Sequence, residues 1–584
     1  MYQWIGALYA QYRRSKQTRL FDPFSDILTE KTRKRLMDGW PGVFRHVILE
    51  LMPVDAVSKQ FDPAMGRPTK ELYSMAGLLL IKEFMNWTKA EALDAYSFNI
   101  NIHYALNLEP VAHDLSMRSL ERYINLFEDN DIARIVMSEV TAELVKLLDI
   151  KIDKQRLDST HIFSDMASFG RTRLMGVAVK RFLTQLRRHD ERSYKELGEA
   201  MINRYAPGVG RLFADTKDDN SRIVLRQTIA EDMYCLLKLF AARPQHSSRS
   251  TYKALERIFY DHCEVHEKAI VVKEYSGCNS MLNTSDPDAT YDGHKGPGYQ
   301  VQIAETCNSE NPAQLITSAI AQTAVESDTT AFPTVMDDLK ESELLPDAML
   351  ADTSYCSDDN VQLAQDHGVE LIGPAPKSGT TRSQDNDKLN IDDFDIDENT
   401  EKVLCCPAGH KPLSSVNSKS SGKTKTVMPQ SVCGRCDFVN ECPVRKNGSE
   451  YILRHNAKQR RNARRRREEN TDGFRQQYRM RSGIESTNSG LKRRTGLGRL
   501  RVRGRPAVFN AIYLKIAGWN ILRAAACAKM RKIVRARVRQ TVCRLNFVFL
   551  AMIMAAKKVR ISGKKYFCPS WRQIETFSAI DNAA

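Results

Sequence analysis

No stretch of this chain reads as a membrane span. The best candidate, Leu545 to Ala556, falls well short of the ~20 apolar residues a spanning helix needs, and it reads as a packed core helix. Met1-Tyr-Gln-Trp has no basic leader followed by an apolar core, so a secretory signal is not expected. Internal repeats are absent, which excludes repeat arrays. A P-loop is excluded too: the Gly-rich stretch Asp292-Gly-His-Lys295-Gly-Pro-Gly lacks the Gly-Lys-Ser/Thr ending. Its backbone amides and Lys295 could approach a phosphate, although an ordinary hairpin entry is the better reading. Acidic side chains are in deficit, with 71 Asp and Glu against 87 Lys and Arg, a net charge of +16 and a pI near 9.2. Such a balance points to an anionic partner, either nucleic acid or an acidic membrane surface.

At 584 residues the chain is too long for one ordinary core. A soluble cytoplasmic protein is expected, and in that reducing compartment the 13 cysteines do not read as a disulfide framework. Cys235, Cys263, Cys527 and Cys543 are scattered and read as ordinary buried thiols. The positive excess gathers in the C-terminal third. Lys458 to Arg467 is the densest run, with Lys492 to Arg505 and Lys529 to Arg539 adding more. Any one run is normally a solvated face; together they suggest a polyanion groove.

Up to residue 148 the pattern is helical. Thr69 to Trp87 and Lys89 to Tyr96 have helical spacing, and Ser116 stands as an N-cap. Strand signals begin at Ile150-Lys-Ile-Asp and run through Gln155-Arg-Leu-Asp158-Ser-Thr160. A helical tract follows over about 170–270, broken at Pro207-Gly208. Period-two alternation returns at Tyr299 to Cys307, with Leu315 to Ala324 as the next strand. Asp328 to Leu339 reads as a helix, Ala348 to Ala351 as a short strand ending in Asp352, Ser357-Asp-Asp as a helix start, and Val369 to Gly373 as a strand. This order is that of an α/β RNase H-like core carrying a helical insertion. Lys377 to Glu401 reads as a polar linker, and the chain from Tyr451 onward as helical and basic.

The most informative segment is Tyr478-Arg-Met-Arg481-Ser-Gly-Ile-Glu485-Ser-Thr-Asn-Ser-Gly-Leu-Lys492. An aromatic, a guanidinium, a carboxylate and an ammonium stand at offsets 0, 3, 7 and 14. On one helix, at roughly 100° per residue, they share one face. A carboxylate flanked by phosphate-binding cations suits a metal-dependent enzyme acting on nucleic acid. Two features cut the other way. Ser482-Gly-Ile-Glu485 matches a capping box that would use Glu485 only to start the helix, and Gly483 and Gly490 weaken a helix by about 1 kcal/mol each.

The spacing resembles the Tyr-(2)-Arg-(3)-Glu-(6)-Lys signature of bacterial insertion-sequence transposases of the DDE type, closest to the group named eleven-eighty-two. Phosphodiester chemistry by paired Mg²⁺ ions needs carboxylates converging from different elements. Asp158 and Asp352 close two predicted strands, and with Glu485 they resemble that family's triad. The resemblance implies that Asp158, Asp352 and Glu485 hold Mg²⁺ (or Mn²⁺). It also implies that Tyr478, Arg481 and Lys492 contact DNA near the cleaved bond. Asp153, Asp165, Asp358 and Asp359 are competing carboxylates; the last two fit better in the first turn of a helix.

Cys405-Cys406-Pro-Ala-Gly-His410 precedes Cys433-Gly-Arg-Cys436 and Cys442. The Cys-x₂-Cys knuckle suits a structural Zn²⁺ held by Cys406, Cys433, Cys436 and Cys442, with Cys405 and His410 as rivals for the distal position. Phe394-Asp-Ile-Asp and Lys402-Val-Leu read as a small hairpin beneath it.

The expected organisation is a helical DNA-binding domain over residues 1–148 and an RNase H-like core over 149–376. A linker with a small zinc-ribbon-like insertion follows over 377–450, then a basic helical region over 451–584 that completes the core. The resemblance implies a DNA transposase that binds terminal inverted repeats, cleaves at the element end and joins the 3′-hydroxyl to target DNA, as a homodimer on double-stranded DNA, in a bacterial cytoplasm at the nucleoid. The alternatives are an RNase H-like nuclease without strand transfer and a non-catalytic repressor derived from a transposase.

Overall fold

The computed structural model describes residues 22–62, 69–167, 169–206, 219–267, 269–376, 389–397, 399–418 and 422–540. The Met1 segment, the Pro207-Gly208 break, the apolar stretch Leu545 to Ala556 and Cys543 lie outside the described residues.

The N-terminal segment is helical. Helix α1, Leu72–Phe84, begins where the Glu71 carboxylate accepts from the amides of Tyr73 and Ser74. It is buried along nearly its whole length, not along one stripe. That is the signature of a central helix. Helix α2, Ile132–Leu148, packs nearby, and its Val136 and Leu144 join the same apolar core as Phe84 of α1.

The chain then enters the sheet. Strand β1 is Lys154–Ile162, β2 Gly296–Thr306, β3 Ile316–Thr323, β4 Ala348–Leu350 and β5 Glu370–Ile372. Antiparallel pairs join β1 to β2 (Asp158 opposite Ile303) and β2 to β3. Parallel pairs join β1 to β4 (Arg156 opposite Leu350) and β4 to β5. The order β3-β2-β1-β4-β5, with a short edge strand Thr290–Asp292 on β2, fits an RNase H-like core. Helix α3, Asp328–Glu341, leads into β4, and α4, Asp358–Asp366, into β5, as parallel neighbours require. Ser327 and Ser357 cap them, each accepting from an amide in the first turn.

Between β1 and β2 the chain makes the expected insertion. Helices Arg171–His189, Asp219–Phe240 and Ser250–His262 close a separate apolar core that includes Phe182, Leu236 and Phe259. The tract is not helical to its end. Cys263–His266 and Ala269–Val272 form a hairpin, where β-branched Ile270, Val271 and Val272 favour extended backbone. Of the scattered cysteines, Cys263 and Cys527 are buried, whereas Cys235 is exposed.

The cysteine-bearing segment is richer in strands than its sequence suggests. Asp395–Ile396 pairs with Val403–Cys405 as expected. A four-stranded antiparallel sheet follows, in the order Ser414–Ser418, Lys423–Met428, Glu450–His455, Arg445–Asn447. Glu450–His455 therefore corrects the helical reading from Tyr451 onward: its Ile452 and Leu453 are buried, and strand pairing overrides the basic context.

Helix α5, Ala457–Glu468, carries the densest basic run, and the structure corrects the groove expected there. Lys458 pairs with Asp359 and Arg461 with Asp358. Arg465 donates to the carbonyls of Cys356 and Gly373, Arg466 to that of Pro376, and Arg467 pairs with Asp392 and Asp393. These cations bolt the cysteine segment to the core. The run Lys529 to Arg539 is similarly used: Lys529 donates to the Leu148 carbonyl, Arg535 pairs with Asp38, and Arg537 with Glu143.

Helix α6, Asp472–Tyr478, a 3₁₀ turn Arg479–Ser482 and helix α7, Gly483–Thr495, form one tract. Helix α8, Arg505–Ala526, lies against α1 and α2 and sends Ile512 and Ile516 into their core. Its buried Lys515 ammonium donates to the carbonyls of Glu83 (2.9 Å) and Thr495 (2.7 Å), so it caps the C-terminal end of α7 with positive charge.

Candidate active site

The parallel register of β1 and β4 sets Asp158 and Asp352 side by side. Arg156 faces Leu350, and two residues further along each strand lead to the two aspartates. Asp352 stands just past β4, where its Oδ1 accepts from the Ser354 amide at 2.8 Å. That turn leaves Oδ2 free to face β1. Glu485 arrives from α7.

All three carboxylates converge on the Arg481 guanidinium. Its Nη2 is 3.2 Å from Asp158 Oδ1 and 3.8 Å from Asp352 Oδ2, and its Nη1 is 3.1 Å from Glu485 Oε1. The second oxygen of Asp158 accepts from Asn488 Nδ2 at 3.2 Å. Burial raises the Asp158 pKa; Arg481 and the Ser159 amide oppose this, while Asp352 and Asp328 add to it. Exposure climbs from 17% at Asp158 through 35% at Asp352 to 67% at Glu485, so the sheet carboxylates are the more sheltered. Among the described residues, no three Asp, Glu, His or Cys side chains stand close enough together to hold a metal ion. The donor chemistry still fits a hard divalent cation: every group is a carboxylate oxygen, and a cation, here guanidinium, sits at their meeting point.

The tract that brings Glu485 is not the single helix expected from its spacing. It passes through a 3₁₀ turn, with Tyr478, Arg479, Ser482 and Gly483 all in right-handed helical dihedrals. The capping box does not form. Ser482 Oγ donates instead to the Arg479 carbonyl at 3.0 Å, and no side chain caps α7. Glu485 is thereby left for the carboxylate cluster. Both glycines are explained by close approach. A Cβ on Gly483 would fall on the Arg156 guanidinium, and one on Gly490 would lie 2.5 Å from the Trp519 ring. Tyr478 stacks on Phe474 (5.4 Å between centroids, 16° apart) and packs against Leu350 and Ile372.

Lys492 lies on the same helix, exposed, its stem against Gly498. Burial of that stem and nearby Lys295 lower its pKa, against the pull of Asp158. Lys295 Nζ reaches Ser159 Oγ at 3.3 Å, beside Asp158. Among the described residues, Lys492, Arg493, Arg494, Arg499 and Arg503 are exposed and have no acidic partner. Of the three basic runs, this one presents its charge to solvent. Three of the four competing carboxylates are otherwise engaged: Asp153 accepts from Asn308, and Asp358 and Asp359 serve α5.

Sequence reasoning missed Asn488, Arg156, Glu305 and Thr487. A signal existed for two of them, because Arg156 and Glu305 are charged residues inside strands otherwise read as core.

Cys406, His410, Cys433, Cys436 and Cys442 line one cavity of about 20 Å³, and Cys405 is not in its lining. Burial, then the neighbouring thiols of Cys442, Cys406 and Cys436, push the Cys433 thiol up to about 11. The thiols gather around one space, though among the described residues no three of them form a metal site.

Residues 405–525 match the sequence family described as Transposase DDE domain. The match takes in Tyr478, Arg481, Glu485, Lys492 and the cysteine cluster, and it supports a transposase. Asp158 and Asp352 lie outside it. A piggyBac transposase, solved by cryo-EM as a synaptic complex with hairpin DNA, is similar at a TM-score of 0.20 and 10% identity, over 65% of this chain and 72% of that one. A likeness so slight carries no argument; the fold rests on the strand order. No curated protein sequence matches the chain.

Proposed function

We propose that the protein is a DNA transposase that binds the ends of its element, cleaves there and joins the 3′-hydroxyl to target DNA. The observation that carries this reading is the meeting of Asp158, Asp352 and Glu485, from three separate elements, around one cation. Asp158, Asp352 and Glu485 would hold Mg²⁺ or Mn²⁺. A divalent cation bound there supplies activation of water or a 3′-hydroxyl and stabilisation of the leaving oxygen. The chain's own groups then do the positioning. Arg481 and Lys492 bind phosphates beside the reacting bond, and Tyr478 bounds the strand's path. Arg493, Arg494, Arg499 and Arg503 extend the phosphate track along the duplex. Joining two element ends implies a homodimer on DNA. The region to residue 148 would contact the ends, and the protein would act in the cytoplasm at the nucleoid.

The cysteine cluster has soft donors only, which suit Zn²⁺. Cys406, Cys433, Cys436 and Cys442 would hold it as a structural staple. Zinc content of the purified chain tests this: about one Zn²⁺ per chain is expected, and Cys433→Ser should lose it.

The decisive experiment is an Mg²⁺-dependent strand-transfer assay on the element's ends. Asp158→Ala, Asp352→Ala and Glu485→Ala should each abolish cleavage and joining while DNA binding persists. Cleavage without joining in the wild type would indicate a nuclease instead. Binding without either would indicate a repressor.

A further inference from the structure

Beneath the Glu485 helix lies a buried ion pair. Arg156 of β1 and Glu305 of β2 face each other in register, their side chains 11% and 0% exposed. Arg156 Nε and Nη2 both donate to Glu305 Oε2, at 2.8 and 2.5 Å. That leaves one nitrogen of Arg156 and one oxygen of Glu305, and both reach the tract that carries Glu485. Arg156 Nη1 donates to the Met480 carbonyl at 3.1 Å, and Glu305 Oε1 accepts from Thr487 Oγ1 at 2.8 Å. The two attachments bracket Glu485. Gly483 lies directly over Arg156, where a Cβ would collide with the guanidinium.

Burying such a pair is costly, and apolar residues of similar size often stabilise a core as well or better. Packing alone therefore gives no reason for charge here. Directional bonds do: they fix both the height and the rotation of α7 over the sheet, which apolar contact leaves loose. Glu485 is the most exposed of the three carboxylates, and its side chain pairs with Arg481 of its own tract.

We propose that Arg156, Glu305 and Thr487 form a positioning strut that sets the reach of Glu485 toward Asp158 and Asp352. The proposal rests on the reading of Glu485 as a metal-holding carboxylate.

The test is Mn²⁺ affinity of the full chain, measured by calorimetric titration alongside metal-free melting temperature. Thr487→Val deletes the hydroxyl at nearly constant volume. It should weaken Mn²⁺ binding about tenfold, the usual scale for a residue that orients a ligand, and lower the metal-free melting temperature only modestly, by the cost of one buried Glu305 oxygen left without its donor. Thr487→Ser should restore the affinity. Arg156→Lys, which keeps a charge for Glu305 and loses the bond to the Met480 carbonyl, should give a similar loss and serves if the valine variant misfolds. Glu485→Gln should weaken binding in the wild type and add little on top of Thr487→Val. Wild-type affinity in Thr487→Val, or full additivity with Glu485→Gln, overturns the strut. Unchanged affinity in Glu485→Gln alone overturns the metal reading of Glu485, and the strut falls with it.

Discussion

Arg481 Nη2 stands 3.2 Å from Asp158 Oδ1, so the sheet carboxylate and the signature arginine form an ion pair across 323 residues of chain. The same guanidinium serves Asp352 and Glu485, while its own Nε is buried without a partner. An orphaned donor costs about 1–3 kcal/mol, so this arrangement is tight in charge and imperfect in hydrogen bonding. Arg481→Gln leaves three carboxylates to repel one another. Metal-free stability should fall by about 1–3 kcal/mol, and added Mn²⁺ should raise the melting temperature more than it does in the wild type. Calorimetry with and without Mn²⁺ reads both; an equal or smaller rise would show that Arg481 and the metal do not compete.

Basic residues should sort into two classes. Glutamine at Arg493, Arg494 or Arg499 should weaken DNA binding and lower the salt slope by about 1 for each phosphate left without its cation. Arg461→Gln should leave the slope unchanged and instead strand the Asp358 carboxylate, which is 3% exposed. A fully buried pair would cost more, but Arg461 is 41% exposed, so about 1–3 kcal/mol is expected. Binding isotherms over a salt series, paired with denaturation curves, separate the classes.

Acid should weaken the N-terminal helices through His46. Burial, with Arg45 and Arg537 beside it, lowers its pKa from 6.5 to about 3. Between those values the unfolded chain takes up a proton that the folded chain refuses. The contribution is fully present above pH 6.5 and is lost as pH falls toward about 3, with a slope of up to about 1.4 kcal/mol per pH unit. His46→Gln should flatten that part of the stability profile, as followed by urea denaturation across the window.

Gly490→Ala should destabilise despite alanine's better helix propensity. The gain of about 1 kcal/mol from propensity is outweighed by a Cβ set 2.5 Å from the Trp519 ring. Pairing it with Trp519→Leu should recover stability, as thermal melts of the single and double variants will read.

Periodicity made the sheet legible. Tyr299, Val301 and Ile303 alternate with Gln300 and Gln302, and Ala348 to Ala351 is a short apolar run ahead of Asp352, although the first of these strands is buried on both faces. Glu450–His455 escaped because Arg454 and His455 sit in a basic stretch, although Arg445–Asn447 pairs with it across a two-residue turn and only Lys423–Met428 lies further back. The α5 run misled for a related reason. Composition counts charge but not its neutralisation, and Asp358, Asp359, Asp392 and Asp393 stand far back along the chain. In the signature, spacing correctly grouped Arg481 with Glu485. It could not foresee that Ser482 turns to Arg479 or that both glycines yield space to tertiary neighbours. Arg156 and Glu305 pair across two strands, and long-range pairings of that kind leave no local pattern.

Glu485 sits on a helix built from the last quarter of the polypeptide, whereas the sheet that bears both aspartates is finished much earlier. A nascent chain still on the ribosome at the cysteine segment thus has two acids and no third. The carboxylate cluster is complete only after synthesis has passed α7 and Lys515 has docked beneath its end. Fragments that end before α7 lack the third carboxylate, and they also lose most of the positive excess, which gathers in the C-terminal third.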